Sequence, residues 1–120
     1  MREIKFRAWD KEERVMYGFD FDMVEDSIFP ANSKHFEDYE IMQYTGLKDK
    51  NGKEIYEGDI LGYWGEASWE VGFIDGEFCT IYHNISVPFR VDQKAFRLSK
   101  KLAISKKVIG NIWENKDLLK

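Results

Sequence analysis

The chain has 120 residues, 43% hydrophobic and 33% charged, with a net charge of −4, which fits one globular domain and excludes a disordered chain. Its one cysteine, Cys79, excludes an intramolecular disulfide and paired-cysteine zinc motifs, and fits a reducing compartment. No apolar run approaches the roughly 20 residues of a membrane span, and the charged, alternating start MREIKFRAWD does not read as a signal peptide. The expected setting is the cytoplasm, with no membrane partner.

In chain order, Ile4, Phe6 and Ala8 alternate with Lys5, Arg7 and Trp9, the period of a half-buried strand. The polar run 10–14 predicts a turn, and Val15, Tyr17, Phe19 and Phe21 continue the alternation as a second strand of a hairpin. Residues 25–34 read as a loop, with one helical turn over SKHFEDY capped by Asn32 or Ser33. EIMQYTG (40–46) is a strand ending at Gly46, and Asn51-Gly52 predicts a type I′ hairpin turn. EIYEGDILGYW breaks at Gly58 and resumes at Asp59, like the start of a strand in small SH3-like barrels, where the aspartate stays in water. The clearest hairpin is WEVGFIDGEFCTIYH (69–83), turning at Asp75-Gly76 and followed by a segment that ends at Pro88. Val91, Ala95, Leu98 and Leu102 recur at helical spacing and predict a helix over 90–102. KVIGNIWEN (107–115) returns to strand character before a closing helical turn capped by Asn115. Five to seven short strands with one moderate helix make the fold mainly β with some α.

Nine Phe, six Tyr and four Trp suit either a β core or an interaction surface. The stretch 43–61 gathers Asp49, Asn51, Glu54, Glu57 and Asp59 around three glycines. An EF-hand aligned on Gly52 would put Leu47 and Gly58 at its two strongest ligand positions, and Gly52-Lys53-Glu54 is not a P-loop. The loop is therefore read as a hairpin turn. Cys79 and His83 lie about 13 Å apart along a strand, too far for a nucleophile–base pair, and Cys79 is expected in the core beside Ile81. His35 and His83 are the only histidines, and no serine sits in a GxSxG elbow. No metal, cofactor or catalytic residue is expected.

Charge is uneven. From Asp10 to Ile60 there are fourteen acids and six bases, whereas 90–107 carries seven bases and only Asp92. On a helix, Arg90, Lys94, Arg97 and Lys101 share one face, so Arg90, Lys94, Arg97, Lys100 and Lys101 form the candidate nucleic-acid set, with Trp64 or Trp69 as stacking partner. The competing reading is a solvated face, or one that meets an acidic patch of a second copy.

MREIKFRAWD (1–10), MQYTGLKDKNGKEIYEGDIL (42–61) and VIGNIWEN…LL (108–119) together resemble the YopX family of small phage and prophage proteins. Lys116 stands where that family often has proline, a change confined to a C-terminal turn. The resemblance implies one domain over 1–120, an SH3-like, partly open barrel beside an N-terminal β portion, and self-assembly; it implies no chemistry. The function expected is a non-enzymatic, self-associating interaction module that also engages a host or phage protein. The alternatives are a nucleic-acid binder using 90–107 and a small carboxylate-dependent enzyme.

Overall fold

The computed structural model describes residues 3–20, 38–62, 68–83, 95–115 and 117. β1 (Lys5–Asp10) and β2 (Val15–Asp20) form the expected first hairpin, in register from Lys5↔Asp20 to Asp10↔Val15. Asp10 closes its turn: Oδ1 accepts the N–H groups of Glu12 and Glu13 at 3.0 Å each, and its carbonyl accepts Arg14 N–H at 2.8 Å. β3 (Tyr39–Lys48) pairs with the other side of β1. It runs through Gly46 rather than ending there, because a bulge between Tyr44 and Lys48 lets it continue beside β4 (Glu54–Tyr56). Within the bulge the Thr45 hydroxyl replaces lost ladder bonds, donating to the Ile55 carbonyl at 2.8 Å and accepting from Leu47 N–H at 3.2 Å. The four-stranded order is β2-β1-β3-β4.

The second sheet is built from β5 (Asp59–Gly62), β6 (Ser68–Ile74), β7 (Glu77–His83), β8 (Ala95–Arg97) and β9 (Lys107–Asn111). Its order is β8-β7-β6-β5-β9, every pair described is antiparallel, and it curls into a half-barrel. The mainly β, partly open barrel read from the sequence is thus the fold observed. Asp75 (φ 52°) and Gly76 (φ 83°) make the expected type I′ turn between β6 and β7.

Two further local expectations fail. Asn51 does not adopt positive φ; Gly52 does (φ 80°), and its N–H donates to the Asp49 carbonyl at 3.0 Å. The loop is a type I turn closed by a left-handed glycine, so glycine is needed one place later than a type I′ turn requires. The helix over 90–102 is also corrected. Ala95–Arg97 is strand β8, paired with β7, while α1 spans only Lys100–Ser105. The edge of β7 takes the β8 backbone, and the Thr80 hydroxyl adds a bond to the Phe96 carbonyl at 3.2 Å, which outweighs a weak helical period. The Ser99 side chain caps α1 by accepting Leu102 N–H at 3.1 Å. Residues 21–37, 63–67 and 84–94, with the loop and most of the helical turn predicted over 33–39, the end at Pro88, and most of the closing turn after Asn115, lie outside the described residues, while Tyr39 of that turn already belongs to β3.

Ile55, Leu61, Val71, Leu98 and Ala103 form the core of the half-barrel, flanked by Leu47, Trp69, Phe78, Leu102 and Val108. Gly58 joins this core to the first sheet. Its N–H donates to the Val71 carbonyl and its carbonyl accepts Ile112 N–H, both at 2.8 Å. Its φ is +84°, and a Cβ there would lie 3.1 Å from Met42 Sδ, with Ile112 and Trp113 next nearest. Trp113 in turn stacks on buried Trp9, centroids 6.3 Å apart and planes 16° apart.

Candidate functional site

Asp49, in the acidic-looking loop 49–53, is 5% exposed. Its Oδ1 accepts the N–H groups of Asn51 and Lys53, and its Oδ2 accepts that of Val108, all at 2.8 Å. Burial pushes this carboxyl up, but the N–H donors of Val108, Lys53 and Asn51 and the Lys53 charge outweigh it and hold it below its ordinary value. Lys50 N–H also donates to the Lys106 carbonyl at 2.8 Å. The carboxylate therefore ties the hairpin to β9 and is occupied in doing so. Among the described residues no group of three or more His, Cys, Asp and Glu is placed to hold a metal.

Asp59, expected in water, is buried at 2% exposure. The reason lies on β1: the Arg7 guanidinium donates to Asp59 Oδ1 at 2.9 Å and to the Glu57 carbonyl at 3.1 Å, while Tyr56 N–H donates to Asp59 Oδ2 at 2.8 Å. Burial pushes the Asp59 carboxyl up, and Arg7 pulls it back. Glu57 is also pushed up by burial, against the N–H of Gln43 and the charge of Arg7. Arg7 lies over the Tyr56 ring at 4.8 Å, and Tyr56 meets Tyr44 at 5.5 Å. Beside them Lys5 bridges Glu54 at 2.6 Å and Glu3 at 3.0 Å, which raises its ammonium above the ordinary value. The cluster links strands far apart in sequence, and its carboxylates face cations or backbone N–H groups.

Cys79 is buried as expected, with its thiol pushed up by burial. It lies, however, on the sheet face opposite Val71: Thr80 pairs with Val71, and Cys79 pairs with Gly72, beside Ile81. That face has room for a sulfur because residue 72 has no side chain.

Of the basic set, Arg90 and Lys94 lie outside the described residues, as does Trp64. Arg97 is on β8 and Lys100 and Lys101 open α1, all three exposed. The single helical face proposed for them does not exist, since Arg97 belongs to a strand. Instead Arg97 lines a groove of about 400 Å³ between the sheets, with Gln43, Phe73, Gly76, Glu77, Phe78 and Leu98. Phe73 is 51% exposed and Ile74, at the hairpin tip, 42%. Arg97 Nε is 3.9 Å from Glu77 Oε2, with side chains 81% and 57% exposed. Sequence reasoning missed this groove because Gln43 and Arg97 meet only through the packing of one sheet on the other.

The YopX protein family model matches residues 5–120. The chain belongs to the YopX family. Within solved structures, this YopX chain is similar to the crystal structure of protein EF1440 from Enterococcus faecalis, at 31% identity and a TM-score of 0.62, with 100% of both chains covered. No curated protein matches it. Among the described residues no helix is long and apolar enough to cross a membrane.

Proposed function

We propose that this YopX protein is a non-enzymatic interaction module that pairs with a second copy of itself through the β6–β7 tip and the groove beside it. The observation that carries this reading is the groove that exposed Phe73 lines together with the loosely held Glu77–Arg97 pair. An exposed ion pair at 3.9 Å contributes about 0–1 kcal/mol, so little holds either side chain to its own chain. A rim bearing one charge of each sign beside an apolar centre is self-complementary about a two-fold axis: Glu77 of one copy meets Arg97 of the other, and the reverse. The uneven charge of the sequence, acidic over 10–60 and basic over 90–107, favours the same pairing.

Supporting the non-enzymatic reading, buried Asp10, Asp49 and Asp59 each bind backbone N–H groups, Asp59 with Arg7 in addition, and among the described residues the groove presents one carboxylate, Glu77. The setting we assign is that of a phage or prophage protein acting in the cytoplasm, where the paired form engages a host or phage protein.

The test is light scattering on wild type, Phe73→Glu, Glu77→Arg, Arg97→Glu and the double exchange Glu77→Arg/Arg97→Glu. Wild type is expected to pair, each single variant to dissociate, and the double exchange to pair again because the rim is restored with its signs reversed. Singles that pair as tightly as wild type, or a double exchange that stays dissociated, would overturn the reading.

A further inference from the structure

Asn51 is followed directly by a glycine, and both residues are exposed. An asparagine so placed is chemically labile. The Gly52 nitrogen attacks Asn51 Cγ, the bond from Cγ to the side-chain nitrogen breaks, and ammonia leaves with the proton given up by the Gly52 amide. Water then opens the cyclic imide at one of its two carbonyls, leaving either aspartate or isoaspartate, which carries one extra main-chain carbon. Glycine favours the attack because no Cβ shields its nitrogen, and at Gly52 nothing lies within 4 Å of the place a Cβ would take.

The folded loop opposes the reaction. Gly52 N–H donates to the Asp49 carbonyl at 3.0 Å, so the attacking nitrogen is already held. As the third residue of a type I turn, Asn51 has ψ of about 0°, which turns the Gly52 nitrogen away from Asn51 Cβ and hence from Cγ. The amides on either side are fixed as well: Asn51 N–H and Lys53 N–H share Asp49 Oδ1, each at 2.8 Å. Asp49 Oδ2 accepts Val108 N–H and the Lys106 carbonyl accepts Lys50 N–H, again at 2.8 Å. The conformation that blocks ring closure is the one that docks the start of β9.

From this geometry we infer that Asn51 is a guarded modification site, closed to deamidation while the hairpin holds β9 and open once β9 is released. The change is one-way. Isoaspartate lengthens the main chain between the two N–H groups that share Asp49 Oδ1, and either product sets a second carboxylate beside Asp49. The loop then cannot remake its bonds to Val108 and Lys106, so a transient release becomes permanent. The site needs neither a second copy nor the Glu77–Arg97 groove, and it stands or falls without the pairing proposed above.

The test follows position 51 of the full chain at mildly alkaline pH by peptide mass spectrometry, with aspartate and isoaspartate separated by retention. Breaking a hydrogen bond to a charged group lowers the open fraction about tenfold or more. Native wild type is therefore expected to deamidate at Asn51 at least about tenfold more slowly than the same chain unfolded in urea. Asp49→Asn is expected to react at Asn51 about tenfold faster than native wild type. The isolated isoaspartate form is expected to exchange its Val108 amide hydrogen at least about tenfold faster than wild type, with the amides of β6 and β7 unchanged. A native chain that reacts as fast as the unfolded one, an Asp49→Asn chain as slow as wild type, or an isoaspartate form that keeps its Val108 protection would each overturn the inference.

Discussion

Replacing Asp49 by asparagine tests how far the central hairpin depends on one side chain. The amide oxygen of asparagine can still accept from Asn51 and Lys53, as a neutral rather than charged acceptor, but its NH2 group then faces the Val108 N–H across 2.8 Å. The bond that ties the loop to β9 is lost and a donor is left facing a donor. A hydrogen bond to a charged group contributes about 1.5–3 kcal/mol, so Asp49→Asn is expected to lower stability by about 2–3 kcal/mol. Asp49→Ala removes all three hydrogen bonds and is expected to cost about 3–5 kcal/mol, since exposed Asn51 and Lys53 recover part of the loss from water. Against the roughly 5–15 kcal/mol that holds a small domain together, either loss is large. Urea unfolding followed by tryptophan fluorescence measures it.

The same experiment has a pH signature. The Asp49 carboxyl lies below its ordinary value of 3.8 in the folded chain, so the unfolded chain holds that proton more tightly. Its contribution is complete above that ordinary value and is lost as pH falls through the folded value. The gap between wild type and Asp49→Asn is therefore expected to stay constant above about pH 5 and to narrow below about pH 4. A variant within about 0.5 kcal/mol of wild type at pH 7, within the scatter of a neutral surface change, or a gap that widens with acid, would refute the clamp.

Three further outcomes follow from the fold. Gly58→Ala is expected to cost about 2–4 kcal/mol, because it combines left-handed backbone with a Cβ 3.1 Å from Met42 Sδ, whereas Gly52→Ala, at φ +80° in open space, is expected to cost about 1–2 kcal/mol; equal losses by thermal melting would deny the close packing at 58. Arg7→Met leaves Asp59 buried without its counter-charge and is expected to cost about 3–5 kcal/mol at pH 7. Burial raises the Asp59 value in the folded chain, so that destabilisation is complete above the folded value and fades as acid protonates the carboxyl; urea midpoints at pH 7 and pH 4 check this. Cys79, buried with its thiol pushed up, is expected to react with a thiol-specific disulfide reagent only after unfolding, and rapid reaction of the native chain would contradict its placement.

The strands were legible wherever alternation and turn chemistry agreed. Asp75-Gly76 specified its hairpin outright, and the alternation from Ile4 to Trp9 specified β1. Gly46 misled because a glycine reads equally as a stop or as a bulge, and only the Thr45 hydroxyl bonds, made across strands, separate the two. Of the residues spaced helically over 91–102, Leu98 is buried and Leu102 packs on the core from within α1, but Leu98 lies between β8 and α1 rather than in a helix. Spacing records which side chains turn inward, whereas the open edge of β7 decides the backbone of Ala95–Arg97. The candidate sites were the least legible part. Asp59 looks wet from its neighbours in sequence and is dry because Arg7 reaches it from β1. Lys50 and Lys106 are both visible in the sequence, yet no local pattern states that their backbones touch.

The most direct test of the central claim is the solution mass of the wild-type chain by sedimentation velocity across a hundredfold range of concentration. Pairing through the Glu77–Arg97 rim predicts a species of twice 14.2 kDa that gives way to a single chain on dilution and in the Phe73→Glu variant. A single species of 14.2 kDa at every concentration would contradict it.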